Sequence, residues 1–109
     1  MNCAEMSDFE INREIAVKLK MNCIFPKSSP PVVGVLSGEY YVNFDPCNSW
    51  ADAGPIIEKH RIAIKPVALY VGGYRWFANV GEDDLAIKAA DQNPLRAAML
   101  VFLMIQESK

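Results

Sequence analysis

Histidine, cysteine and clustered carboxylates are the side chains here most capable of chemistry, and their spacing gives them little to do together. His60 is the sole histidine, so a Ser–His or Cys–His nucleophile pair would have to use it. It stands between Lys59 and Arg61, at the expected end of a helix, where the dipole favours cations. A surface dipole partner is the plainer reading. Cys47 falls just before an expected helix, where a thiolate is stabilised and its pKa falls, although an inert thiol, buried or exposed, is the plainer reading. A small hydrolase using Cys47 or His60 is therefore the enzymatic alternative. Glu82-Asp83-Asp84 offers oxygen ligands to a hard cation but lacks the spacing of a calcium loop and its final Glu. Gly72-Gly73 lacks any phosphate-loop pattern. With no metal triad, paired catalytic acids or cofactor fingerprint, no catalytic residue, metal or cofactor is expected.

The aromatic residues are more informative. Tyr40, Tyr41, Trp50, Tyr70, Tyr74, Trp76 and Phe77 gather in the middle of the chain. One helix cannot cover both faces of a sheet. Rings on a partly open face would stack a base or another ring, with Arg75, Asn43 and Asn79 supplying polar contacts. The competing reading places the same rings in the core.

The elements that must position these residues centre on the closing segment. From Ala97 to Ile105 no residue is polar. A helix apolar on every side must be covered by the chain or by a partner. Asn93 is a suitable N-cap and Pro94 suits the first helical position. The run from Leu95 to Glu107 rises about 20 Å, short of a bilayer, so a buried core helix is expected and no membrane span. Arg96 sits near the positive end of that helix. It is expected either as a solvated side chain or paired with Asp91 or an anion.

Ser7-Asp8-Phe9-Glu10 is a capping box, with Met6 and Ile11 at the staple positions. Ile11, Ile15, Ala16 and Leu19 form an apolar stripe, so a helix should run from near Asp8 to about Lys20–Asn22. The proline-rich segment 25–31 reads as an extended connection. Val32–Leu36 and Glu39–Phe44 read as a hairpin around Ser37-Gly38, with Tyr40, Val42 and Phe44 on one face. Asp45-Pro46-Cys47-Asn48 should turn the chain. Asn48 or Ser49 should cap a second helix to about Lys59, with a loose or 3₁₀ first turn before Pro55. Ile62–Lys65 and Tyr74–Val80 suggest a second antiparallel pair across Gly72-Gly73. A short helical turn is expected over residues 85–90.

The fold class is thus α+β: a mostly antiparallel sheet of about four strands with three helices, in the order α-ββ-α-ββ-α. A three-layer αβα sandwich, or a dimer partner over one helix, would supply the coverage the closing helix needs. One domain, 1–109, is expected for this length. Net charge is −2 and the pI about 5.3, so no nucleic-acid partner is expected. Three widely spaced cysteines, Cys3, Cys23 and Cys47, fit free thiols in a reducing cytoplasm rather than a disulfide framework. The first ten residues show no secretory signal.

Several blocks resemble the NinX-type proteins of lambdoid phages and prophages. These are Ser7-Asp8-Phe9-Glu10-Ile11-Asn12, Asp45-Pro46-Cys47-Asn48, Ala51-Asp52-Ala53-Gly54-Pro55-Ile56-Ile57, Trp76-Phe77-Ala78-Asn79-Val80, Asn93-Pro94-Leu95-Arg96-Ala97-Ala98-Met99 and Val101-Phe102-Leu103-Met104. The layout is also similar to the phage ABA sandwich domain. Gly54 departs from the family pattern, which would place a bulky aromatic there, and Val67–Gly73 does not align. The resemblance implies a phage or prophage accessory protein in the cytoplasm of a bacterial host, and carries over no catalytic residue.

Taken together, these readings point to a non-enzymatic binding or regulatory module acting on a host protein or a small nucleotide-like ligand. The candidate ligand surface is Asp45, Asn48, Trp50, Arg75, Trp76 and Asn79. A purely structural homodimer is the remaining alternative.

Overall fold

The structure is a computed structural model in which residues 6–27, 29–81 and 87–107 are described. The elements in order are α1 (Asp8–Lys18), β1 (Cys23–Ile24), β2 (Gly34–Ser37), β3 (Tyr40–Asn43), α2 (Trp50–His60), β4 (Ala63–Ala68), β5 (Tyr74–Val80), β6 (Ile87–Asp91) and α3 (Pro94–Glu107).

Local chemistry starts each helix as the sequence predicts. Ser7 Oγ accepts from the Glu10 N–H and Glu10 Oε1 accepts from the Ser7 N–H, both at 3.2 Å. Ser49 caps α2 by accepting from the Asp52 N–H at 3.4 Å. Asn93 Oδ1 accepts from the Leu95 and Arg96 N–H groups at 2.9 and 3.3 Å. α2 departs from expectation around Pro55. It is a continuous α-helix from Trp50, with the proline inside it. Pro55 removes the N–H that would have met the Ala51 carbonyl. Both residues are exposed, so water can take that bond.

The sheet prediction needs correcting. In place of one sheet of about four strands there are two antiparallel sheets of three, β1-β2-β3 and β4-β5-β6. The order is therefore α-βββ-α-βββ-α. Two strands were hidden. β1 is only two residues long and exists because Cys23 and Ile24 pair with Val35 and Gly34. β6 occupies Ile87–Asp91, where a helical turn is expected; Leu85 and Ala86 of that segment lie outside the described residues. Pairing of Ile87–Asp91 with Trp76–Val80 outweighs the helix preference of Lys88-Ala89-Ala90, since propensity is a weak prior against tertiary pairing. On β3 the face shared by Tyr40, Val42 and Phe44 is not evenly covered. Phe44 is buried, but it lies past the strand, and Tyr40 and Val42 are exposed. β3 is a sheet edge, and Val33, Val35 and Phe44 supply the burial instead.

The closing helix is the interior. Leu95 and every residue from Ala97 to Leu103 are buried. α3 packs on β4, β5 and β6 and also on α1 and α2. Its cover therefore comes from one sheet and two helices of its own chain. The register of β4-β5-β6 separates its two faces. Ile64, Ala78, Val80, Ile87 and Ala89 turn toward the core, with Asp91 in the same phase. Lys65, Arg75, Phe77, Asn79 and Lys88 turn the other way. No helix among the described residues is long and apolar enough to cross a membrane.

Phe102 is fully buried, with its ring edge-on to His60 at 5.0 Å. Phe102→Ala should destabilise the protein by roughly 3–5 kcal/mol in urea denaturation. Val17→Ala, at a position 52% exposed, should stay within about 0.5 kcal/mol of the parent.

Candidate functional site

Three distant segments meet at one polar cluster: the start of α1, the turn before α2 and the start of α3. Arg96 is at its centre. Its Nη1 donates to Asp8 Oδ1 at 2.5 Å and its Nε to Asp91 Oδ2 at 3.0 Å. Its Nη2 donates to the Met6 carbonyl. The side chain is only 14% exposed. Of the two readings open for Arg96, the paired one holds, and Asp8 is a second carboxylate that the local sequence does not suggest. A cation in the first turn opposes the helix dipole; two carboxylates in contact offset that.

The turn Asp45-Pro46-Cys47-Asn48 is held from three sides. Asn12, buried on α1, donates from Nδ2 to Asp45 Oδ1 at 2.8 Å and accepts from the Cys47 N–H at 3.2 Å. Asn48 Nδ2 lies 3.1 Å from Asp8 Oδ2 and 3.2 Å from both Asp45 oxygens. Asn93 Nδ2 donates to the Cys47 carbonyl at 2.8 Å. Asp52 Oδ2 accepts from the Asp45 N–H at 2.9 Å. Among the described residues no buried side-chain nitrogen or oxygen lacks a partner.

Beside this cluster is a cavity of about 210 Å³, lined by Asp8, Phe9, Asn12, Asn43, Asp45 and Asn48 with Pro30 to Val33 and Phe44. A second, more apolar hollow of about 330 Å³ adjoins it along Ile24, Pro26, Gly34, Tyr41 and Val42. Val32, Val33 and Asn43 border both. The first chamber carries two carboxylates, and Asp8 keeps 45% of its side chain exposed. It suits a cationic group; the second suits an aliphatic one.

The residues singled out from sequence are divided. Asp45 and Asn48 come together in the cavity. Trp50 starts α2 and is 61% exposed. Arg75, Trp76 and Asn79 are all on β5, but Trp76 shares its phase with Asp91 on the side toward α3, while Arg75 and Asn79 point the opposite way. Asn79 donates to the Gly81 carbonyl at 3.0 Å. Sequence reasoning points to Asn43 as a polar contact but not to Asp8 or Asn12 as lining residues. Asn12 was visible as a polar residue adjoining the apolar stripe of α1.

Of the two readings open for Cys47, the structure supports the inert thiol. It is fully buried, and its pKa is pushed up to about 12 by burial, then by the negative charges of Asp8, Asp45 and Asp91, with Arg96 opposing. Its sulfur is a neutral thiol at physiological pH. His60 has its ring against Phe102. Among the described residues no group of three or more His, Cys, Asp and Glu is placed to hold a metal ion. Glu82, Asp83 and Asp84 lie outside the described residues.

Fold and site define an α+β protein whose interior helix is locked at its N-terminal end by an arginine–carboxylate cluster, next to a small two-chamber cavity. The family model described as Bacteriophage P22, NinX matches residues 2–106. The chain belongs to that family, a phage protein family. No curated protein matches it.

The raised thiol of Cys47 sets a pH dependence. Below about pH 9 both folded and unfolded chains hold the proton; between about 9 and 12 only the folded chain does. Stability should therefore fall as pH rises through this window, by roughly 1 kcal/mol per unit. The difference between the parent and Cys47→Ala in denaturation midpoints should change across it. Iodoacetamide at pH 8.5 should leave Cys47 unmodified in the folded protein.

Proposed function

We propose that the chain is a non-enzymatic binding or regulatory module that acts in the host cytoplasm by holding an extended segment of a host protein. The observation that carries this reading is the pair of adjoining chambers, one acidic and one apolar, joined at Val32, Val33 and Asn43. A segment with one Lys or Arg beside an aliphatic residue matches their order. β3 borders both through Asn43 and is a sheet edge paired only with β2. Its open backbone groups offer hydrogen bonds to an added strand, the usual way an extended peptide docks on a sheet.

The other readings have less support. The acidic chamber is small and repels phosphate, which disfavours a nucleotide-like ligand at Asp45 and Asn48. The hydrolase reading needs a thiolate that Cys47 does not provide, and the nucleophile pair would also need His60. A homodimer would supply cover for the closing helix, but α3 is covered by its own chain.

Arginine amide tests the acidic chamber. In an NMR titration at millimolar concentrations it should shift the side-chain amide signals of Asn43 and Asn48 saturably, and N-acetylglutamate should not. Peptides selected from a random display should carry Lys or Arg next to Val, Ile or Leu, and Val42→Glu should abolish their capture. Unperturbed amides together with no enriched pattern would count against the proposal.

A further inference from the structure

The outer face of the β4-β5-β6 sheet is a separate surface, and its charge is unlike that of the chain as a whole. Cross-strand partners share a face. The pairings Lys65↔Phe77↔Ala90, Ala63↔Asn79↔Lys88 and Val67↔Arg75 therefore place these residues together, on the side away from α3. Lys65, Arg75 and Lys88 are exposed, Phe77 is half-buried, and no carboxylate of a described strand residue shares their face. Asp91, the acidic residue of β6, is in the opposite phase and bonds to Arg96. Three cations, Lys65, Arg75 and Lys88, thus share one face of a chain whose net charge is −2.

Phe77 is at the middle of the face. Lys65 is opposite it on β4, Arg75 and Asn79 are two residues away along β5, and Lys88 is opposite Asn79 on β6. Strands about 4.8 Å apart and a rise of about 3.4 Å per residue put all three cations within reach of a chain crossing the ring. A ring surrounded by cations, with an amide at its side, is the arrangement that receives single-stranded nucleic acid: one base stacks on the aromatic and the phosphates on either side meet the cations. A second copy docked face to face would oppose like charges. Pro66 in the middle of the β4 edge removes a ladder donor, which weakens that edge as a site for strand addition. We infer that this face, through Phe77, Lys65, Arg75 and Lys88, binds single-stranded DNA or RNA without strong sequence preference. The site is independent of the two-chamber cavity.

Fluorescence anisotropy of the full chain with a labelled oligothymidylate tests this. Binding should appear at low salt, with a slope of log K against log salt of about −2, from roughly −0.7 for each of three phosphates. Lys65→Ala, Arg75→Ala and Lys88→Ala should each flatten the slope by about 0.7. Phe77→Leu should weaken binding roughly 5- to 150-fold, the loss of one base–aromatic stack. Lys18→Ala on α1 should change nothing, and circular dichroism checks that each variant folds. Absence of binding at low salt, equal binding by Arg75→Ala and Lys88→Ala, or indifference to Phe77→Leu would each overturn the inference. Displacement by polyglutamate as effective as by oligothymidylate would reassign the face to an acidic protein.

Discussion

The contact of Arg96 with Asp8 and Asp91 is the constraint on which the arrangement depends. It joins residues 88 apart in sequence and places the start of α1, the end of β6 and the first turn of α3 at one point. A mostly buried guanidinium is costly unless paired and hydrogen-bonded. Here Nε, Nη1 and Nη2 all have acceptors. The gain over an apolar substitute need not be large, since desolvation offsets much of the attraction. The consequence of breaking the cluster is larger, because Asp8 and Asp91 would then lack their shared countercharge.

The cluster also explains why the cavity has its shape. Asp8 is fixed by Arg96, so Asn48 has a fixed acceptor; Asn48 and Asn12 then orient Asp45. The apolar helix behind them supplies most of the burial but has little directional preference. Hydrophobic packing makes α3 interior, whereas the hydrogen bonds at its N-terminal end determine which loops meet there. Three of the blocks that carry the NinX resemblance, Ser7–Asn12, Asp45–Asn48 and Asn93–Met99, converge on this one place.

Much of the fold was legible because its signals are local. The capping box at Ser7, the Asn93-Pro94 start, the Ile11–Ile15 stripe and the glycine turns each need only neighbouring residues, and each appears as read. β1 and β6 were illegible because their strand character comes from partners: a two-residue strand has no period, and Ile87–Asp91 carries helix-favouring residues. The candidate site was legible only at Asn43, Asp45 and Asn48. Arg75, Trp76 and Asn79 read as one surface along the sequence, but alternation along β5 sends Trp76 to the opposite side, and the position of the open face depends on where α3 packs. The pair Asp8–Arg96 has no short-range signature at all. The same holds for Cys47: its place before a helix argues for a low pKa, while burial among three carboxylates, seen only in the fold, raises it.

A double-mutant cycle between Asp8 and Arg96 addresses the central claim most directly. Denaturation of Asp8→Asn, Arg96→Met and the double variant, compared with the parent, gives the coupling between the two side chains. If the cluster locks α1 to α3, the coupling should be roughly 1–3 kcal/mol, as for residues within one ion-pair network. Single-variant effects that add to within about 0.3 kcal/mol would contradict it, and would leave the packing of α3 alone to hold these segments together.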